Sequence, residues 1–505
     1  MSCRSRPHRR LIAAVLALAL ALAAGMPARA QIPTLGDTSD MNASTERKLG
    51  ERIARELYRD PDYLDDPILD EYVRGIWSRL LAGARSRGEL TAELDERFAW
   101  QVLLGKDRSV NAFALPGGWL GLHLGLISVT ATRDELASVL AHELSHVTQR
   151  HISRLMTQEN RQAPWVIGAM ILGALAASKN PEAASALVTG GQALAMQNQL
   201  NFSRDMEREA DRIGYGVLTQ AGFEPQGFVT MFDKLQQASR LNDNGSFPYL
   251  RTHPMTTERS ADMQSRQQLA PRAAGAPAPD LVHAMMAGRA RVLSNPGVDV
   301  LRGYVNDSQA DAAAPPASAR QATALYAAAL ASSKLRDFAA ARKLAGTLAD
   351  VVRGDGEAAR VASLLAAEIA LEAGEPARAL ALADAPATAR PEMLFASQAR
   401  IARGRSAEAA QWLQTWVALH PRDAQAWQLL ARAHAAQGQQ LRAIRAEAEA
   451  QVAHLDYEAA LDRFKAAQEL ARRGTRAAGD HIEASIIDSR ARQVESLLRE
   501  QALQR

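Results

Sequence analysis

Residues 140–146 read Leu140-Ala141-His142-Glu143-Leu144-Ser145-His146, and the rest of the chain is best read outward from them. Two imidazoles four positions apart fall on one face of a helix, within reach of a single metal ion. Glu143 stands about 100° round that helix from His142, where its carboxylate can meet a water on the metal without ligating the ion. Leu136, Val139 and Leu140 supply a buried side to the helix, which is expected to start near Asp134, after Ala131-Thr132-Arg133. The bland alternative is a pair of solvated histidines on a helix surface. The glutamate between them, the amphipathic setting and a strand-like pattern just upstream favour the metal.

Two histidines leave a catalytic zinc underbound, because such sites usually hold three protein ligands and one open position. Ser203-Arg204-Asp205-Met206-Glu207-Arg208-Glu209-Ala210-Asp211 offers the third. Glu207 and Asp211 are one helical turn apart and share a face, whereas Glu209 points roughly opposite. Glu207 is the candidate ligand. Asp211 would stand behind it, holding a ligand imidazole or assisting proton transfer. Taken alone this stretch reads as a solvated, salt-bridged helix, since Arg204, Arg208 and Arg212 recur at four-residue spacing.

Composition places these motifs in a soluble globular setting. The chain has 505 residues, 47% hydrophobic and 23% charged, which implies two or more domains with ample apolar side chain to bury. Residues 1–30 read as a cleavable export signal: Arg4, Arg6, Arg9 and Arg10 precede an apolar run over 11–24, and Ala28-Arg29-Ala30 offers small residues for cleavage. A membrane anchor is the rival reading, but the run falls short of the roughly 20 residues that span a bilayer. The Arg9-Arg10 pair raises twin-arginine export, although the apolar run after it is a generic one and favours the general route. Five of the 59 basic residues lie in this segment, which leaves 54 against 56 acidic ones and a net charge of about −2. That balance argues against nucleic-acid binding, which needs a clustered basic face. The one cysteine, Cys3, lies in the same segment, so a mature chain has no thiol and must build any metal site from His, Asp and Glu.

Spacing of apolar residues predicts helix over 44–84, then short strands near 98–104, 111–118 and 119–127, with a turn at Pro116-Gly117-Gly118. A further helix is expected over 193–218. Residues 164–178 are strongly apolar but too few to span a bilayer; a buried or lid helix is favoured over a membrane-interface segment, which would bring peripheral membrane contact. Stretches 270–280 and 307–318, rich in Pro and Ala, look like connections with one short helix between them. Domain limits follow: 31–269 for the metal-binding domain, 270–320 for the linker and 321–505 for a helical array. In that array single glycines at 374, 404 and 438 fall 30 and 34 residues apart, and Ala409 and Ala443 are 34 apart. These periods fit helix pairs that must stack to bury their apolar faces. Asp456-Tyr457-Glu458-Ala459-Ala460 with Phe464 and Ala467 looks like the second helix of a tetratricopeptide repeat, although Ala443 to Ala460 is only 17 residues. A non-repetitive helical bundle is the alternative.

Four blocks in order resemble a zinc endopeptidase family that includes the CAAX prenyl proteases, and within it the periplasmic β-barrel assembly-enhancing proteases with tetratricopeptide repeats. They are residues 111–118, His142 to His146 with its trailing residues through His151, the Glu207-x-x-x-Asp211 element, and Thr252-His253-Pro254 with Arg259. The resemblance implies a mainly α fold: a gluzincin-type zinc metalloprotease domain with a small β-sheet, followed by a C-terminal α-solenoid of tetratricopeptide-like helix pairs. It implies one Zn2+ per chain held by His142, His146 and Glu207, with Glu143 as catalytic base and Asp211 as proton donor or orienting acid. His253 would touch substrate or cap the metal as a fourth ligand. His151 is expected to turn away from the ligand face. Residues 111–118 would form the edge strand on which an extended peptide lies. The implied role is a periplasmic endopeptidase in quality control of outer-membrane β-barrel proteins, with unfolded or misassembled clients and the barrel-assembly machinery as partners. A chaperone-like repeat scaffold with a latent protease site is the second reading.

Overall fold

Residues 41–158, 203–240, 246–269, 280–310, 318–383, 389–473 and 478–502 are described by a computed structural model. The helical lead-in forms two helices, Ala43–Arg59 and Pro67–Ser86. Asn42 caps the first by accepting from Thr45 N at 2.8 Å, and Asp66 caps the second by accepting from Leu69 N at 2.9 Å. Four strands follow the expected order: β1 (Tyr63–Leu64), β2 (Gln101–Gly105), β3 (Ala112–Leu115) and β4 (Trp119–His123). They line up as β1-β2-β4-β3, with β4 parallel to β2 and antiparallel to β3, Phe113 facing Gly121. Every residue of β4 is buried, so the strand shows no alternation, and β3 is left at the edge. A strand through residue 127 does not form, because the chain turns into the short helix Leu124–Val129 after His123. A continuous apolar run does not by itself separate a buried strand from a buried helix.

The motif helix is Arg133–Thr148. Thr132 caps it through Glu135 N at 3.3 Å, and Glu135 Oε2 returns to accept from Ala131 N at 2.6 Å. Everything from Glu135 to Thr148 is buried, which is the burial of a central helix rather than a surface one. Beside it runs the acidic helix Arg204–Gln220, capped by Ser203. A Cβ at Gly214 would stand 3.1 Å from Ala141 C and O and from His142 N. The missing side chain is therefore what lets the two helices meet at His142. Residues 164–178, and the part of the expected 193–218 helix before 203, lie outside the described residues.

Two helices, Leu281–Ser294 and Val298–Ala310, occupy the region where one was expected between the Pro/Ala-rich stretches. The first is buried along nearly its whole length and shares one apolar core with the sheet, the motif helix and residues up to Ala399. Arg289, 1% exposed, fixes this junction. Its Nε meets Asp66 Oδ1 at 2.8 Å, and its Nη1 reaches Glu368 Oε2 at 2.7 Å and the Tyr326 hydroxyl at 3.2 Å. Arg289→Ala would leave Asp66 and Glu368 without their buried counter-charge, a loss of ~3–5 kcal/mol. Urea unfolding of the full chain checks this, and a change under 1 kcal/mol would show the clamp to be dispensable, since that is about the ceiling for an exposed pair.

An α-solenoid of helix pairs follows, beginning with Ala319–Lys334 and Phe338–Val352 and ending with Tyr457–Arg472 and Ala478–Ala502. Gly374, Gly404 and Gly438 each take a positive φ of 72–75° in the turn within a pair. Ala409 and Ala443 are buried on Ser406–Leu419 and Gln440–Ala453, the second helices of successive pairs. The odd 17-residue step to Ala460 is one helix plus one turn, because Gln440–Ala453 packs against both Ala424–Ala435 and Tyr457–Arg472.

The solenoid curves back on the metal-binding domain. Arg59 Nη2 pairs with Asp456 at 3.0 Å, and the Tyr58 and His454 rings stack at 4.8 Å. Arg390 bridges Asp65 at 2.8 Å and Asp423 at 2.9 and 3.0 Å. Between these ties lies a cavity of about 770 Å³ lined by residues of both parts, among them Tyr63, Arg74, Trp416 and His420. Burial pushes the Asp423 carboxyl up, but Arg390, the Trp416 indole and the Ala426 amide together hold it below its ordinary 3.8. A depressed native pKa stabilises fully above the unfolded value and is lost as pH falls through the native one. The urea midpoint of the wild type should thus drop more than that of Asp423→Asn between about pH 5 and about pH 3; equal drops would count against this junction. Among the described residues no helix is long and apolar enough to cross a membrane.

Candidate metal centre

His142 and His146 leave the motif helix on one face, as their spacing requires, with both Nε2 atoms pointing inward and 3.0 Å apart. The acidic helix brings Glu207 against them, Oε1 at 3.4 Å from His146 Nε2 and Oε2 at 3.5 Å from His142 Nε2. His253 ends the short helix Tyr249–Thr252 and stacks on Tyr249 at 4.5 Å. Its Nδ1 lies 2.9 Å from Glu207 Oε1 and 3.3 Å from His142 Nε2. One donor atom from each of His142, His146, Glu207 and His253 lies within 4.8 Å of the others, and all four residues are buried. Tetrahedral zinc with ~2.0–2.1 Å bonds places its donors about 3.3 Å apart, and the five separations just given, 2.9 to 3.5 Å, bracket that value.

Glu143 is fully buried beside this cluster. Its Oε2 accepts from Ala114 N on the edge strand at 2.9 Å. Its Oε1 has no hydrogen-bond partner among the described residues and stands 3.4 Å from His253 Nε2. A buried carboxylate oxygen is costly without a partner, and an oxygen left so beside convergent donors is what a base for a metal-held water needs. The donor set, its spacing and this orphaned oxygen fit a divalent metal.

Asp211 stands 2.9 Å from His142 Nδ1 and is gripped by Arg259 at 2.6 and 2.7 Å. Arg259 Nη1 also lies 2.8 Å from Glu207 Oε2 as an ion-pair contact and donates to Pro254 O. Burial works to keep the His142 ring neutral, but Asp211 and Glu207 together outweigh it and push its pKa up to about 10. For His146 burial wins and the pKa falls well below normal, with His142 adding to the effect against Glu207. Glu207 is held well below the carboxylate range, because His253, His142 and His146 overcome the burial that would raise it. With Glu207 and Asp211 both held ionised, the pocket is arranged around positive charge.

All the residues singled out from sequence are thus brought together: His142, Glu143, His146, Glu207, Asp211 and His253. His151 stays off the ligand face, outside the donor set, but it is not remote: Arg150 takes φ 53°, the motif helix stops, and the new helix His151–Gln158 brings the ring to 2.8 Å from His146 Nδ1, the nitrogen opposite the cluster. Sequence reading also missed Ala114 N–H and the Tyr249 ring behind His253. Their only trace was the edge strand itself and an aromatic four residues before His253.

The fold and this site define a candidate metal centre on a mainly α domain with a four-stranded sheet, extended by a helical solenoid. Residues 79–267 match the sequence profile of peptidase family M48. It is 34% identical over 247 residues to the putative beta-barrel assembly-enhancing protease of Vibrio cholerae, covering 48% of each chain. Against the beta-barrel assembly-enhancing protease of Yersinia pestis it is 29% identical over 441 residues, 84% of each chain. The mitochondrial metalloendopeptidase OMA1 of Arabidopsis thaliana is 31% identical over 196 residues, 39% of this chain and 36% of that one. The match to the Vibrio protein spans about half of that relative's length, whereas the Yersinia match runs on into the repeats.

Proposed function

We propose that this chain is a zinc-dependent endopeptidase of the bacterial periplasm that acts in quality control and assembly of outer-membrane β-barrel proteins. The observation that carries the chemistry is the convergence of His142, His146 and Glu207 beside the unpartnered Oε1 of Glu143. His142, His146 and Glu207 would hold the zinc. The bound ion would supply Lewis acidity, polarising the scissile carbonyl and bringing the pKa of a water towards ~7. Glu143 takes the proton of the attacking water and passes it to the leaving amine. Asp211, clamped by Arg259, holds His142 in the tautomer that directs Nε2 inward. An extended peptide adds along β3 and is held by main-chain hydrogen bonds, so side-chain selectivity is modest. Such tolerance suits clearance of misassembled chains.

The client assignment rests on the relatives named for β-barrel assembly, and the export signal read over residues 1–30 supports the compartment. The solenoid would recruit clients or the assembly machinery, with the cavity beside Trp416 and His420 as the surface to probe. Metal content and casein cleavage of the purified full chain test the enzymatic part: about one zinc per chain and measurable cleavage are expected.

A second reading has its own observation. His253 supplies a fourth protein donor, and closed four-ligand sites are structural, whereas catalytic ones keep a position open. In this closed state the protease is latent and the repeats act as a chaperone-like scaffold. Complementation separates the readings. If Glu143→Gln restores outer-membrane integrity in a deletion strain as well as wild type does, proteolysis is not the main role.

A further inference from the structure

The two histidines of the motif are supported by unlike partners. Behind His142 stands a carboxylate, Asp211. Behind His146 stands another imidazole, His151, fully buried, with Nδ1 2.8 Å from His146 Nδ1. Two imidazole nitrogens at that distance share one proton, so one donates and the other accepts. His146 points Nε2 at the cluster, and a nitrogen that binds metal must keep its lone pair, which puts the proton of a neutral His146 on Nδ1. His151 Nδ1 must then accept, which leaves the His151 proton on Nε2. There Glu209 Oε2 waits at 3.1 Å, and Arg154 Nη1 holds the same oxygen at 2.8 Å. The opposite assignment would aim a proton of His146 into the centre. Only one arrangement of protons satisfies both the centre and the Glu209 end.

The turn that makes this possible is itself anchored. Arg150, at φ 53°, donates to Glu46 Oε2 at 3.0 Å and to Met41 O at 2.6 Å, which fixes the reversal between the two helices and hence the His151 ring.

We propose that His151 is the positioning residue for His146, a neutral acceptor that fixes the ligand's tautomer and is in turn fixed by Glu209 and Arg154. The proposal rests on His146 being a metal ligand. Its physical sense lies in charge. Glu207 already brings one anion to the metal and Asp211 presses a second against His142; an imidazole behind His146 orients that ring without pressing a third full charge onto it. Glu209 is kept one ring away.

The test uses the full chain and Co2+ as a spectroscopic stand-in for Zn2+. His151→Phe fills the space but cannot accept a proton, whereas His151→Gln offers both an acceptor for His146 and a donor for Glu209. His151→Phe should bind Co2+ and Zn2+ about 10–100-fold more weakly in competition with a chromophoric chelator and should shift the Co2+ visible bands. His151→Gln should stay within a few-fold of wild type with its spectrum retained. Equal affinity and spectra in the Phe variant and wild type would overturn the proposal, as would equal losses in the Phe and Gln variants. If His151→Phe does not fold, Glu209→Ala carries the test from the far end: weaker metal binding supports the relay, and unchanged binding sinks it. A wild-type chain that binds no Co2+ at all would bring down the metal-centre reading first, so the two failures are distinct.

Discussion

Glu143→Gln is expected to lower kcat/KM on an unfolded protein substrate by about 10²–10⁴-fold, the contribution usual for a positioned general base, while zinc content and thermal stability stay near wild type. The reasons are geometric. Glu143 lies next to a proposed ligand in sequence but takes no place among the convergent donors, so its loss does not empty the metal site. Its Oε2 is held by Ala114 N–H on the edge strand, and a glutamine oxygen can accept the same bond, which keeps the side chain where it is. What the amide cannot do is take a proton. The effect should therefore fall on kcat more than on KM, because Glu143 acts on the water and not on the peptide lying along β3. Full cleavage by the Gln variant would remove Glu143 from the mechanism. Loss of zinc together with activity would instead make it a structural element of the centre.

How much of the fold and site is legible in the sequence depends on how far each relation reaches along the chain. The relation of His142, Glu143 and His146 is set within two turns of one helix, where the 3.6-residue period decides which side chains meet. Glu207 and Asp211 follow the same rule on their own helix. Nothing in the period says that the two helices face each other; residue type nominated the pair, and Gly214 closes the gap by letting the backbones touch at His142. His253 has no periodic signal, being the residue that ends a four-residue helix, and only the family resemblance pointed to it. The contact of His151 with the back of His146 was not legible for a physical reason. Continuing the motif helix by five residues carries a side chain well away from His146, but the left-handed Arg150 ends that helix first. A similar limit applies to Leu281–Ser294. Flanked by Pro- and Ala-rich stretches, it looks like a piece of connector, yet Arg289 makes it the place where the cap of one helix and the repeats are joined. Burial of a cation against Asp66, more than 200 residues upstream, leaves no mark on local sequence.

His253→Ala should raise basal proteolysis by about 10-fold, the gain expected when an open form populated at roughly a tenth becomes the only form. In the closed arrangement His253 does two things at once. Its Nδ1 stands with the other donors, 2.9 Å from Glu207, and its Nε2 faces the orphaned oxygen of Glu143 at 3.4 Å. On the latency reading the same ring would cover both the fourth metal position and the base. Removing it leaves three protein ligands, which is enough to retain zinc and leaves the position that hydrolysis requires. The truncation also removes a ring stacked on Tyr249 and so lowers stability, and a looser protein can gain apparent activity simply because it unfolds and is cut. The double variant Glu143→Gln/His253→Ala resolves this. If the gain arises at the centre, the double variant is inactive; if it survives without Glu143, it comes from elsewhere. Unchanged or abolished cleavage in His253→Ala itself would mean that the histidine does not restrain the metal, and a role in holding substrate would replace it.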